Sequence, residues 1–209
     1  TGSKTYGTVQ IGTQCWMKEN LKWLPTTGTH NTYSGTNGNT GAGDRRYFIY
    51  GLSSATTSGN AVNNLANYNA YGVMYNWAAA SNACPTGWHL PKYSEYYTLV
   101  TGLGNYDVTT GQKMKGTWPA DSMYPNQTCG GNNSSNFTAL PGGTTGRNGS
   151  WLNFSSINRR TEFWTNSKVA YSLYTQITAR SIALPGCGYN NDAKRIKPLD
   201  SHRGFAYYV

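Results

Sequence analysis

Eight residues, Cys84-Pro85-Thr86-Gly87-Trp88-His89-Leu90-Pro91, constrain this chain more than any other stretch. Two prolines and a glycine keep them out of regular structure, because proline fixes φ and lacks an amide donor and glycine ends helices. Apolar spacing on either side predicts helices. Tyr71 to Ala80 presents a Tyr71/Met74/Tyr75/Ala78 face, and the segment from Tyr93 onward places Tyr96, Leu99, Val100 and Leu103 one helical face apart. The fold therefore has to pack two short helices against a stiff loop. Trp88 is expected to anchor that loop in the core. His89, between Trp88 and Leu90, is expected as a packed structural residue rather than an acid, base or ligand.

The rest of the chain alternates rather than winds. Tyr6 to Ile11 predicts an opening strand, with Trp16-Met17 continuing toward Leu21. Trp151-Leu152-Asn153-Phe154, Phe163-Trp164, Ala170 to Tyr174 and Gly204 to Val209 predict further short strands. Few Leu and Ile and 25 Gly argue against a helical bundle and for a loop-rich α+β domain. Between about 25 and 67 lies an irregular insertion in which only Tyr47-Phe48-Ile49-Tyr50 has the apolar content to reach a core. The chain's 209 residues suit one domain, 1–209, without internal repeats.

Charge and cysteine usage narrow the function. The net charge is +9, and Arg159 to Val209 holds eight basic residues against three acidic ones. No run of basic residues exceeds two and no nucleic-acid motif occurs, so nucleic acid is not an expected partner. The four cysteines, Cys15, Cys84, Cys129 and Cys187, form no C-x-x-C pair; they permit two disulfides with three connectivities, or free thiols. His30 and His202 have no partner at ligand spacing, so no metal is expected. No signal peptide or membrane-spanning run is present, and the chain reads as an excised domain without membrane insertion.

Together with Gln10-Ile11-Gly12-Thr13-Gln14-Cys15-Trp16-Met17-Lys18-Glu19-Asn20-Leu21 and Phe137-Thr138-Ala139-Leu140-Pro141-Gly142-Gly143, the Cys84–Pro91 loop resembles the Fibrobacter succinogenes major paralogous domain family. The resemblance implies a C-type-lectin-like domain related to the formylglycine-generating enzymes, with two short helices, a small antiparallel sheet and long irregular loops. Within it, Trp16, Trp88, His89 and Trp164 are motif residues with a structural role. The family has a serine cap where Lys92 stands, so the second helix is expected to start weakly, lysine being unable to accept amide hydrogen bonds.

The chain also resembles variable proteins diversified by retroelements. That likeness implies a non-enzymatic ligand-recognition domain on a cell or virion surface, without cofactor, its binding face in the segment from about 158 to 209. The residues expected there are Arg159, Arg160, Glu162, Asn166, Lys168, Tyr189, Asn190, Asn191, Asp192, Lys194, Arg195 and His202. Tyr supplies rigid amphipathic area, Asn adaptable hydrogen bonds and Arg charge, a mixture suited to a protein or glycan ligand. An oligomer is compatible with this reading. Two alternatives are a structural subunit of a pilus or fibre and a formylglycine-generating-type oxidase. The oxidase needs cysteine-based metal chemistry, and Cys129 and Cys187 lie in Gly- and Asn-rich stretches without such a signature. Calcium binding of the lectin kind is not expected, because neither Glu-Pro-Asn nor Gln-Pro-Asp occurs and Trp164-Thr165-Asn166 only loosely echoes the remaining motif.

Overall fold

The computed structural model describes residues 4–25, 45–52, 66–105, 107–117, 131–148, 151–170, 177–185 and 197–201. They form a mixed α+β structure of short helices and small sheets, with no barrel among the described residues. β1 (Thr8–Ile11) and β2 (Gln14–Met17) pair antiparallel around Gly12-Thr13, so Trp16-Met17 belongs to the returning strand of a hairpin.

The expected helix over Tyr71–Ala80 is instead three pieces. α1 (Ala66–Tyr71) ends at Gly72, which has φ +79° and lies so close to the Leu21 carbonyl that a Cβ would sit 2.9 Å from its oxygen. β4 (Met74–Tyr75) then pairs with β3 (Tyr47–Phe48). α2 (Trp77–Ala80) starts afresh at Asn76, whose side chain accepts the Ala79 amide at 3.0 Å. The apolar spacing was real but served a strand: Met74 and Tyr75 are both fully buried, on opposite sides of the chain.

α3 (Tyr93–Leu103) follows its predicted face, with Tyr96, Leu99 and Val100 buried. Lys92 makes no side-chain cap, as its chemistry requires, yet the helix start is supported from elsewhere. The Glu95 carboxylate accepts the Lys92 amide at 2.6 Å, and the Ser167 hydroxyl accepts the Tyr93 amide at 2.9 Å. α4 (Val108–Met114), not foreseen, starts at Asp107, whose carboxylate accepts the Thr110 amide at 2.8 Å.

The largest sheet has the order β6-β5-β7-β8-β9, formed by β5 (Gly142–Asn148), β6 (Trp151–Ile157), β7 (Arg160–Ala170), β8 (Ile177–Pro185) and β9 (Lys197–Ser201). Its neighbours run antiparallel except β5 and β7. The strands expected at Trp151–Phe154 and Phe163-Trp164 fall within β6 and β7. Tyr171–Tyr174 and the expected closing strand Gly204–Val209 lie outside the described residues, as does most of the 25–67 insertion. Of that insertion Tyr47, Phe48 and Ile49 are buried.

Two apolar clusters make up the core. One gathers Trp16, Phe48, Met74, Tyr96, Leu99, Phe137, Phe163 and Ile182 with their neighbours; the other gathers Leu21, Tyr47, Ile49, Val73, Tyr75, Leu90 and Trp164. Consecutive strand residues point to opposite faces, so Tyr47/Phe48, Met74/Tyr75 and Phe163/Trp164 each divide between the two clusters. β3, β4 and the 161–165 stretch of β7 thus lie between the cores and are buried on both sides. The Trp164 indole donates to the Tyr75 carbonyl at 2.7 Å, tying β7 to β4. No helix among the described residues is long and apolar enough to cross a membrane.

Candidate functional site

The two most distinctive stretches of the sequence meet at one cleft. The β1–β2 hairpin supplies Gln14, Cys15, Trp16 and Met17; the Cys84–Pro91 loop supplies Cys84, Trp88 and His89; α3 adds Glu95 and Tyr96. Phe137 and Phe163 also line it. The cleft has a volume of about 400 Å³, in the size class of small-molecule sites. Its wall runs into the aromatic core: the Trp16 ring lies 5.0 Å from Tyr96 and 5.7 Å from Phe137, and Phe137 meets Phe163 edge-on at 5.9 Å.

Here the motif residues divide. Trp16 and Trp164 are buried, as a structural role requires. Trp88 is only half-buried and lines the cleft, so it is not the core anchor expected; Leu90, two residues on, is the side chain that enters the core. His89 is exposed rather than packed between its neighbours, and its Nε2 lies 2.9 Å from Glu95 Oε1. Burial pushes the Glu95 carboxyl up, but the Lys92 amide, the His89 hydrogen bond and the adjacent positive charges outweigh it and hold the group below the usual carboxylate range.

Cys15 and Cys84 are free thiols, the first exposed and the second half-buried. Burial raises the Cys84 thiol to about 11, so at neutral pH it is protonated and a poor nucleophile. Cys129 and Cys187 lie outside the described residues. Among the described residues no group of three or more His, Cys, Asp or Glu side chains is placed to hold a metal ion.

The residues predicted for a C-terminal face are brought together only in part. Arg159 is exposed, at the turn between β6 and β7. Arg160 is ion-paired to Glu162, which is 3 % exposed; this burial removes Glu162 from any ligand-contacting surface. Asn166 and Lys168 are exposed further along β7, beside a register shift against β8. That stretch is bound to the Cys84–Pro91 loop and to α2: the Asn166 amide donates to the Pro91 carbonyl at 2.7 Å, and the Lys168 ammonium sits 4.7 Å over the Trp77 ring. Tyr189, Asn190, Asn191, Asp192, Lys194, Arg195 and His202 lie outside the described residues. Pro185 pairs with Arg160 and Lys197 with Ala183, so the last residue of β8 and the first of β9 lie at the end of the sheet where β7 starts.

Gln14, Glu95 and Phe137 were not singled out from the sequence as site residues. The signal available for them was their position inside or next to the three motif stretches, which meet in space although they are far apart in the chain.

No curated protein and no solved structure gives a significant match to this chain. A family model does: that of the Fibrobacter succinogenes major domain matches residues 9–200, a span that contains every residue lining the cleft. The chain belongs to the Fibrobacter succinogenes major domain family.

Proposed function

We propose that this protein is a non-enzymatic ligand-recognition domain of C-type-lectin-like architecture, displayed on a cell or virion surface, that binds a protein or glycan through its C-terminal segment. The observation that carries the reading is the register at one end of the sheet. β8 ends at Pro185, opposite Arg160, and β9 begins at Lys197, opposite Ala183, so the segment that joins them is held by two paired strands, of which β8 places Ile182 and Leu184 in the core. Such a framework tolerates changes in the segment it carries, which is what a recognition surface with variable side chains requires. The retroelement-type diversification of that segment is part of the same proposal. The basic surplus of Arg159 to Val209 favours a ligand of acidic character.

Simultaneous replacement of Tyr189, Asn191, Lys194 and Arg195 by Ala tests this reading. Binding to a cell-surface or glycan array is expected to be lost while the thermal melt stays within the small range typical of surface changes, about 0.5 kcal/mol per site. Unfolding of the variant, or array binding equal to that of the parent, contradicts the proposal.

A further inference from the structure

Among the described residues β2 is paired along one edge only, by β1. The Lys18 amide donates to the Gly7 carbonyl at 2.9 Å, and this bond fixes which way each residue of the hairpin turns. Bonded and non-bonded positions alternate along an antiparallel pair, so Trp16 and Gln14 are bonded to Val9 and Ile11. Cys15 and Met17 occupy the other positions and turn their N–H and C=O groups away from β1. Among the described residues none of these groups meets a hydrogen-bond partner. The cleft lies along this same edge. Residues 13–20 line it in unbroken succession, whereas no residue of β1 does. A cavity meets consecutive residues of one strand and spares its partner when it runs along the outer edge. Gly87, Trp88 and His89 stand across from that edge, Tyr96, Phe137 and Phe163 line the cleft as well, and Cys15 is exposed to solvent. An open strand edge is a template for a further strand, and charge or proline usually blunts it; Cys15 and Met17 supply neither.

We propose that the cleft binds an extended peptide bearing an acidic residue, which adds to β2 as a third strand. The amides and carbonyls of the peptide pair with those of Cys15 and Met17, and alternate side chains enter the cleft. The backbone row gives the affinity and the apolar lining selects the side chains that enter. A volume of about 400 Å³ is in the range of ligand sites. Charge selects the acidic residue. Of the carboxylates that line the cleft, Glu19 is paired with Lys22 at 3.7 Å and Glu95 is hydrogen-bonded to His89 at 2.9 Å. Lys18 also lines it and has no acidic partner among the described residues, so an incoming carboxylate meets an unanswered cation. The site is separate from the C-terminal face and stands or falls independently of it.

The test titrates the capped peptide acetyl-Glu-Thr-Leu-Thr-Leu-Thr-Glu-amide into the whole chain, followed by NMR. Before peptide is added, the Cys15 and Met17 amides are expected to exchange with water at least about tenfold faster than those of Gln14 and Trp16. The peptide is expected to bind with a Kd of about 0.1–1 mM, because a flexible ligand loses entropy on ordering, and to slow exchange at Cys15 and Met17. Successive amides of an extended peptide face opposite edges. Of two analogues, N-methylated on the threonines or on the leucines, one is therefore expected to lose more than about tenfold in affinity and the other to keep it. A peptide with lysine in place of glutamate is expected to bind about fivefold more weakly at low salt. Cys15→Pro removes an edge donor without touching the bonds to β1 and is expected to abolish binding in a chain that still melts cooperatively; if that variant does not fold, the N-methylated peptides decide. Four results overturn the proposal: slow exchange at Cys15 and Met17 before peptide is added, which would mean that another part of this chain or a second copy covers the edge; no saturable binding up to about 10 mM; equal affinity for the parent peptide and both N-methylated analogues; or a lysine peptide that binds as well as the glutamate one.

Discussion

Trp164 and Trp88 look alike in the sequence, each the second residue of a pair within a motif, and they carry different weight. Trp164 is 2 % exposed and hydrogen-bonded through its indole, so Trp164→Ala is predicted to destabilise the fold by about 3–5 kcal/mol. Trp88 is half-buried at the cleft, and Trp88→Ala is predicted to cost about 1–2 kcal/mol. Denaturant melts decide between them, and equal losses would return Trp88 to the core. The difference was not legible locally, since it arises where β7 passes between the two clusters and the Cys84–Pro91 loop does not. Lys115 makes a second prediction at this scale. It is 1 % exposed, and burial lowers its ammonium from 10.5 to about 8. Between those values the unfolded chain keeps the proton that the folded chain has released, so its contribution to stability increases as pH rises through that interval. Cys84 acts in the opposite sense, because burial raises its thiol from 9.0 to about 11 and the unfolded chain loses that proton first. The rise is therefore expected between about pH 8 and pH 9, before Cys84 opposes it. Denaturant titrations across that range check it: Lys115→Met should abolish the rise, and a rise that persists in the variant would assign it to another group.

At the scale of elements, α3 was legible because its apolar residues recur at helical spacing and no glycine or proline interrupts them before Gly102. The Tyr71–Ala80 segment is not one helix, and its breaks are written in the sequence, Gly72 as a helix end and Asn76 as a fresh cap. Apolar spacing outweighed them, and a strand buried on both faces satisfies the same spacing as a short helix. The start of α3 was invisible for another reason: its acceptor, Ser167, is distant in sequence and sits where β7 shifts register between Trp164 and Lys168. Ser167→Ala is accordingly predicted to destabilise by about 1 kcal/mol, the usual loss for a capping hydroxyl, and to speed amide exchange at Tyr93. Exchange measured by NMR checks the second part; an unchanged Tyr93 rate would show that the hydroxyl does not support the helix.

For the whole molecule, the α+β class and the contribution of Tyr47, Phe48 and Ile49 to the core followed from composition and alternation. The convergence of the three motif stretches on one cleft did not, because it depends on contacts between segments far apart in the chain. Nor could the sequence show that β8 ends opposite Arg160 with β9 beginning beside it, which follows from the pairing of β7 with β8 and of β8 with β9. The proposed function holds that a framework of packed strands carries a recognition segment whose side chains vary without cost to folding. Displaying the protein as a library randomised at Tyr189, Asn190, Asn191, Asp192, Lys194 and Arg195, and measuring protease resistance before and after selection on unrelated acidic targets, tests it most directly. The account predicts that most members resist protease like the parent and that each target selects different sequences. Loss of protease resistance in most of the library would contradict it, because those side chains would then belong to the framework itself.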